Sequence, residues 1–363
     1  MSIQKKQNDM STNSALQAAY PWTKAPLLAS APMLNIATAP LAVAVSAAGG
    51  LGFLAGGFDI SSMEGNLEEA VQLIKGSNST IREVYATSNI LPIGVGFLNW
   101  GADLLKAIAA IEKYRPCAAW LFGPKKLPDD LRPWVEQIRA VTGGETKIWI
   151  QVGTVAEAVV VAESLDPDVL VLQGSDAGGH GLAQSASIIT LVPEVNDALG
   201  ARQLNPISLI AAGGIVDGRG LAASLALGAS GAVMGTRFLA SSEAKVARGY
   251  QEEVLRASDG GVSTARSTVY DRVRGILSWP SRYDGRGVVN QSYVDAVERG
   301  MGDEENRALY AEELKKGDAG WGPNARLTTY AGTGVGLVTE VIPAAEIVAN
   351  VIEEAKNAFA WSC

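Results

Sequence analysis

The sequence predicts an α/β fold, a (β/α)₈ TIM barrel with a C-terminal, mostly helical appendage, on three observations. Eight short apolar runs alternate with helix-like stretches between residues 27 and 234. None of these runs alternates polar with apolar residues, which marks strands buried on both faces of a parallel sheet. The 40 glycines among 363 residues suit the many tight βα turns of such a fold. Length sets only a soft bound, because α/β barrels outgrow ordinary domain sizes as single units.

The elements follow in order. The first strand is Leu27–Ser30, with a helix over 41–48. A strand at 51–54 precedes a more polar helix over 66–75. Strands at 93–98 and 118–122 are followed by helices over 102–114 and 129–141. Lys147–Val152 and Val169–Gln173 flank a helix at 155–164. Strands at 207–211 and Gly231–Met234, separated by a helix over 218–227, end the series. An eight-fold series points to a closed barrel, with a doubly wound open sheet as the alternative.

Residues 1–20 are polar and read as a mobile arm, 21–261 as the barrel, and 262–363 as an appendage or lid with a closing helix over 344–359. The stretch from 262 to 328 is polar and charged, with Trp279, Pro280, Tyr283, Trp321 and Pro323 scattered through it. It is either a lid near the barrel mouth or a peripheral decoration.

The net charge of −8 and the pI near 5.0 argue against nucleic acid or an anionic membrane surface as the main partner. Residues 25 to 58 carry no charge, but Pro26, Pro32, Pro40 and five glycines cut them into pieces too short to span a bilayer. The N-terminal residues lack the basic-then-apolar order of a signal peptide. Cys117 and Cys363 form no CxxC pair, so a reducing, cytoplasmic setting is expected, with Cys117 a small core residue. No metal site is expected.

Active groups of a barrel sit on loops after the C-terminal ends of its strands. The loop after Val169–Gln173 reads QGSDAGGHG over 173–181 and carries His180, the only histidine in the chain. An imidazole titrating near ~6.5 is the side chain best suited to accept a proton at neutral pH. Asp176 is near enough in sequence to orient it. The loops after strands seven and eight carry Gly213, Gly214, Met234, Gly235 and Thr236, the usual place of a phosphate site in barrels. Arg237 either neutralises that phosphate or faces outward. These features define a barrel enzyme with a phosphate-bearing ligand and a histidine base.

Five segments carry a further resemblance: Ala31-Pro32-Met33, AVAVSAAGGLG at 42–52, QGSDAGGHG at 173–181, IAAGG at 210–214 and MGTRF at 234–238. In order and composition they resemble the nitronate monooxygenases, formerly 2-nitropropane dioxygenases, which are FMN-dependent barrels. The resemblance implies FMN as cofactor and His180 as catalytic base. It implies cofactor contacts at Met33, Gln173, Gly178, Gly179, Gly213, Gly214, Met234, Gly235 and Thr236. It further implies oxidation of alkyl nitronates with O₂ to a carbonyl compound and nitrite. His180 would also take the α-proton of a neutral nitroalkane. Two positions depart from the pattern: Gly94-Val95-Gly96, where many members carry asparagine with Asn99 nearby here, and Gly181, where many carry arginine. The same scaffold serves NAD(P)H-dependent flavin reductases acting on quinones or enoyl thioesters, which form the alternative. A flavin-free isomerase or aldolase is disfavoured by the lack of a lysine after a barrel strand. A non-catalytic flavin-binding protein is disfavoured by the histidine in the loop.

Overall fold

A computed structural model describes residues 15–204 and 206–358. Residues 1–14 of the expected arm, Phe359 and Cys363 lie outside the described residues.

Eight parallel strands build the core: β1 (Leu27–Ser30), β2 (Phe53–Gly57), β3 (Leu91–Leu98), β4 (Pro116–Phe122), β5 (Lys147–Val152), β6 (Val169–Gln173), β8 (Ser208–Ala212) and β9 (Gly231–Met234). A ninth segment, β7 (Gly179–Leu182), leaves the ring between β6 and β8. The ring runs β1-β9-β8-β6-β5-β4-β3-β2, and a parallel bridge between Ala29 and Leu51 joins its two ends. That bridge sets the barrel apart from the doubly wound alternative. Every residue of β1, β4, β8 and β9 is buried, as two-sided burial requires. The second strand begins later than expected, because Leu51 makes the bridge. A helix at Thr80–Ser88 had no expectation in the sequence.

Close approach is bought with missing side chains. A Cβ at Gly52 would lie 1.8 Å from the Ala42 carbonyl oxygen, and one at Gly94 would sit 2.2 Å from the Phe53 ring. Glycine at these positions lets the helix Ala39–Ala47 and the Phe53 ring close on the barrel. The helix Ala344–Ala358 packs against the helices Gly218–Ala226 and Ala39–Ala47, and its Glu354 accepts from the Gly218 N–H at 2.9 Å. No described helix is long and apolar enough to cross a membrane.

Inside the barrel, Trp149 is fully buried between Phe53 and Trp120, with ring centroids 5.0 and 5.9 Å away. Its indole N–H donates to Tyr20 Oη at 2.7 Å. Tyr20 and Leu16 are therefore core residues. The expected mobile arm is too long at its C-terminal end: residues 15–19 are helical and anchored by these two side chains. Cys117 is buried as expected, and burial pushes its thiol well above the usual range.

The C-terminal region is mostly helical, with helices at Val269–Arg274, Gln291–Val297 and Asp303–Leu314. It also contains β10 (Thr264–Ser267) and β11 (Tyr283–Val288), which the sequence reading did not anticipate. These form a three-stranded antiparallel sheet in the order β10-β11-β7. Asp295 joins this region together, pairing with Arg299 at 2.7 Å and with Arg326.

Tyr20→Phe keeps the ring and strips the buried Trp149 N–H of its acceptor. An unsatisfied buried donor costs about 1–3 kcal/mol, so the urea midpoint should fall by that equivalent with an unchanged slope.

Candidate active site

The C-terminal ends of the strands open into a cavity of about 770 Å³, within the ~300–1,000 Å³ typical of small-molecule and cofactor sites. Met33, Ile36, Trp120 and Phe122 give it apolar walls, and Gln151 and Gln173 add carboxamides. Gly213, Gly214, Gly235 and Thr236 line it at the strand ends.

His180 owes its place to two constraints. Gly178 must be glycine because a Cβ there would lie 2.4 Å from the backbone of Ala331 and Gly332, and Gly179 has a φ of +68°. After this bend the chain enters β7, which pairs with β11 so that His180 stands opposite Gly285. Gln173 Nε2 donates to the His180 carbonyl at 2.9 Å, tying the loop back to the barrel strand it left.

The imidazole is held by residues that come after the barrel in sequence. His180 Nε2 lies 2.9 and 2.8 Å from the two carboxylate oxygens of Asp271. The Trp279 ring stacks on the imidazole at 3.9 Å and 6°. Tyr330 O–H donates to Asp271 Oδ1 at 2.9 Å, and Arg274 donates to Tyr330 Oη at 3.3 Å. The Asp271 side chain is only 5% exposed and that of His180 14%. Burial, reinforced by the Asp271 charge, pushes the Tyr330 phenol well above its ordinary range, so it remains a hydrogen-bond donor.

Asp176, expected beside the histidine, is turned elsewhere. Its Oδ1 accepts from Thr333 Oγ at 3.1 Å, and the register of β7 on β11 presents the imidazole to Asp271 instead. Met234 is not on the cavity wall. Its side chain is buried in the core, while its neighbours Val233 and Gly235 line the cavity. Arg237 takes neither expected role: it is buried and donates to the Glu340 carbonyl at 2.9 Å, and burial lowers its pKa.

The remaining expected positions gather around this cavity: Met33, Gln173, Gly178, Gly179, Gly213, Gly214, Gly235, Thr236 and His180. Gly213 and Gly214 have φ of +111° and +74°, and Cβ atoms there would press on Ala177 and Asp176. The loop after β8 thus packs directly on the histidine loop. Thr236 Oγ accepts from the Gly332 N–H at 2.9 Å, which leaves its hydroxyl proton to donate. A Cβ at Gly235 would meet only Ala31 and Met33 at 3.6 and 3.9 Å.

Both departures have a local account. A Cβ at Gly96 would lie 2.4 Å from the Pro32 ring, so proline occupies the space a side chain there would need. Asn99 is not among the residues that line the cavity; its Oδ1 accepts from the Phe122 N–H at 2.8 Å. At Gly181 a Cβ would lie 2.5 Å from Gln173 Oε1 and 3.2 Å from Arg266 Nη1. Arg266, from β10, donates to the carbonyls of Ala177 and Asp284 at 2.8 and 2.9 Å. A guanidinium therefore reaches this neighbourhood from another strand.

Sequence reasoning missed Asp271, Tyr330, Gln151 and Lys245. Trp279 had been noted only as a scattered aromatic. Asp271 gave no signal among 38 acidic residues. Gln151 accepts from Trp120 Nε1 at 3.0 Å, and its own Nε2 is buried without a partner. Lys245 lines the cavity without an ion pair among the described residues. No group of residues suited to hold a metal is found among the described residues.

Fold and site together define a barrel enzyme whose histidine–carboxylate pair faces a large ligand cavity. Residues 132–354 match the family described as nitronate monooxygenase. The chain is 48% identical over 344 residues to nitronate monooxygenase npaC of Metarhizium robertsii, covering 94% of each chain. It is 35% identical over 371 aligned positions to a nitronate monooxygenase of Neurospora crassa, covering 98% of this chain and 96% of that one. The chain belongs to the nitronate monooxygenase family and is an oxidoreductase. Two solved structures share the barrel. Nitroalkane oxidase from Streptomyces ansochromogenes has a TM-score of 0.70 at 22% identity, covering 95% of this chain and 100% of that one. FabK from Thermotoga maritima has a TM-score of 0.67 at 24% identity, covering 95% and 96%.

Gly181→Ala should displace the Gln173 carboxamide and loosen its bond to the His180 carbonyl. Overpacking of this kind costs about 1–3 kcal/mol, to be read as a lower denaturation midpoint; an unchanged midpoint would mean that the carboxamide gives way freely.

Proposed function

We propose that the protein binds FMN in this cavity and oxidises alkyl nitronates with O₂, giving a carbonyl compound and nitrite. His180 also acts on neutral nitroalkanes, taking their α-proton. The observation that carries this reading is the pair of a half-buried histidine and a buried carboxylate at the wall of a large, mostly apolar cavity, in a chain of this family.

The residues suit a flavin mononucleotide. The apolar wall of Met33, Trp120 and Phe122 would take a planar ring system, and the unpartnered amide of Gln151 offers it a donor. Backbone N–H groups at Gly213, Gly214 and Gly235, with the Thr236 hydroxyl, would hold the phosphate. Lys245 adds a cation to the same cavity. Bound FMN supplies the two-electron acceptor that turns over with O₂.

The chain's own part is proton chemistry and positioning. A nitroalkane α-proton moves to the imidazole of His180, and the substrate leaves that step as its nitronate. The imidazolium formed is matched by the Asp271 carboxylate, so no uncompensated charge is created in a closed site. Trp279 and Phe122 limit water around the histidine. A preformed nitronate has already lost its proton and needs none of this.

Anaerobic mixing with an alkyl nitronate should bleach the flavin absorbance of the purified protein. Bleaching by NADH alone would instead assign a reductase. His180→Asn should keep bleaching by preformed nitronate while turnover of neutral nitroalkane falls roughly 10²–10⁴-fold, the usual contribution of a general base. Equal loss on both substrates would remove the proton-abstraction role. Gly235→Leu would fill the space beside Met33, and the protein should leave gel filtration without its yellow colour.

A further inference from the structure

The single imidazole of this chain is held at one nitrogen only. Nε2 faces both oxygens of Asp271 at 2.9 and 2.8 Å, whereas Nδ1 has no hydrogen-bond partner among the described residues, and His180 lines the cavity. Asp271 Oδ1 also receives the Tyr330 O–H at 2.9 Å. A carboxylate that accepts from a phenol is kept as an acceptor, so the proton between Nε2 and Asp271 belongs to the imidazole. Stacking on Trp279 at 3.9 Å restrains the ring, and turning it over would exchange Nε2 for a carbon opposite the carboxylate.

The guanidinium groups nearby make their contacts elsewhere. Arg266 lies 3.5 Å from Asp284, and Arg274 donates to Tyr330 Oη at 3.3 Å. Asp271 is the carboxylate in hydrogen-bond contact with the imidazole, with Asp284 near enough to feel its charge.

We infer that Asp271 is a positioning residue that fixes His180 as the Nε2–H tautomer, so that Nδ1 is the nitrogen that takes the substrate proton. This deepens the proposed function, on which the identity of the substrate rests; the tautomer itself does not depend on it. In the step, the α C–H bond of a nitroalkane breaks and its electron pair becomes the C=N bond of the nitronate, with the negative charge on the nitro oxygens. The proton forms an N–H bond at Nδ1. The imidazolium keeps its Nε2–H on Asp271, which stays ionised, and no electron leaves the substrate in this step.

One histidine means one imidazole spectrum. In the cofactor-loaded protein labelled with ¹⁵N-histidine, NMR at neutral pH should show a protonated, pyrrole-type Nε2 and an unprotonated, pyridine-type Nδ1. Asp271→Ala should move both resonances toward averaged positions as the tautomers exchange. Its kcat on neutral nitroalkane should fall on the order of 10²-fold or more, with KM and turnover of preformed nitronate little changed. Asp271→Asn keeps the side chain's volume and covers the case in which Asp271→Ala does not fold. Its carboxamide can donate to Nε2 as well as accept from it, so the other tautomer should appear, and resonances unmoved in it would count equally against the inference. An Nδ1–H tautomer in the wild-type protein, or resonances unmoved by Asp271→Ala, would overturn the inference. The expected tautomer in a protein that fails to oxidise nitronates would overturn the proposed function alone.

Discussion

The antiparallel pairing of β7 with β11 is the contact on which this site depends. After β6 the chain turns back at Gly178 and Gly179 and would otherwise be a four-residue segment with unpaired backbone. Pairing with β11 satisfies it and sets His180 opposite Gly285 in one register. The absence of a side chain at Gly285 matters, since a Cβ there would lie 2.7 Å from the Tyr330 ring. The segment carrying Tyr330 runs along β11, bridging at Gly287. One ladder thus brings the histidine of the barrel, the carboxylate of the helix Val269–Arg274 and the phenol beyond residue 328 to one point.

That junction is polar and buried, which makes its completeness matter. Arg266 is drawn below its ordinary pKa by burial and is held by three carbonyls, of Gly179, Asp284 and Ala177, and by the Asp284 carboxylate. Asp284 itself is pushed up by burial and pulled back by Arg266. Removing one partner of such a set strands the rest in a low-dielectric setting. The C-terminal region is therefore not a peripheral decoration. It supplies part of the site wall, and the barrel without it would present His180 with no carboxylate and no stacking ring.

The glycine loops of the cavity follow a different rule. There the constraint is close approach. Gly213 and Gly214 fold the loop after β8 against the histidine loop, while Gly235 leaves room beside Ala31 and Met33. Small residues of the glycine loops, a charged cluster of Asp271, Arg266 and Asp284 behind His180, and aromatic and aliphatic walls together shape the cavity.

Much of this was legible in the residues alone. Continuous apolar runs at a βα spacing marked a parallel α/β sheet of eight strands, because a strand buried on both faces leaves that pattern; the bridge between Ala29 and Leu51 is what closes the sheet into a barrel. Glycine-rich loops at strand ends, with one histidine in the chain, located the cavity and His180. The sequence could not say which carboxylate would meet that histidine. Nearness along the chain pointed to Asp176, whereas the register of β7 on β11 chose Asp271, 91 residues away. Nor could it place Met234 and Arg237 off the cavity wall, since which way a strand-end residue points is settled by the pleat and by the neighbours it packs against. Local pattern determined the elements and the loops. Long-range pairing, which leaves no periodicity in the chain, decided which side chains meet in the site.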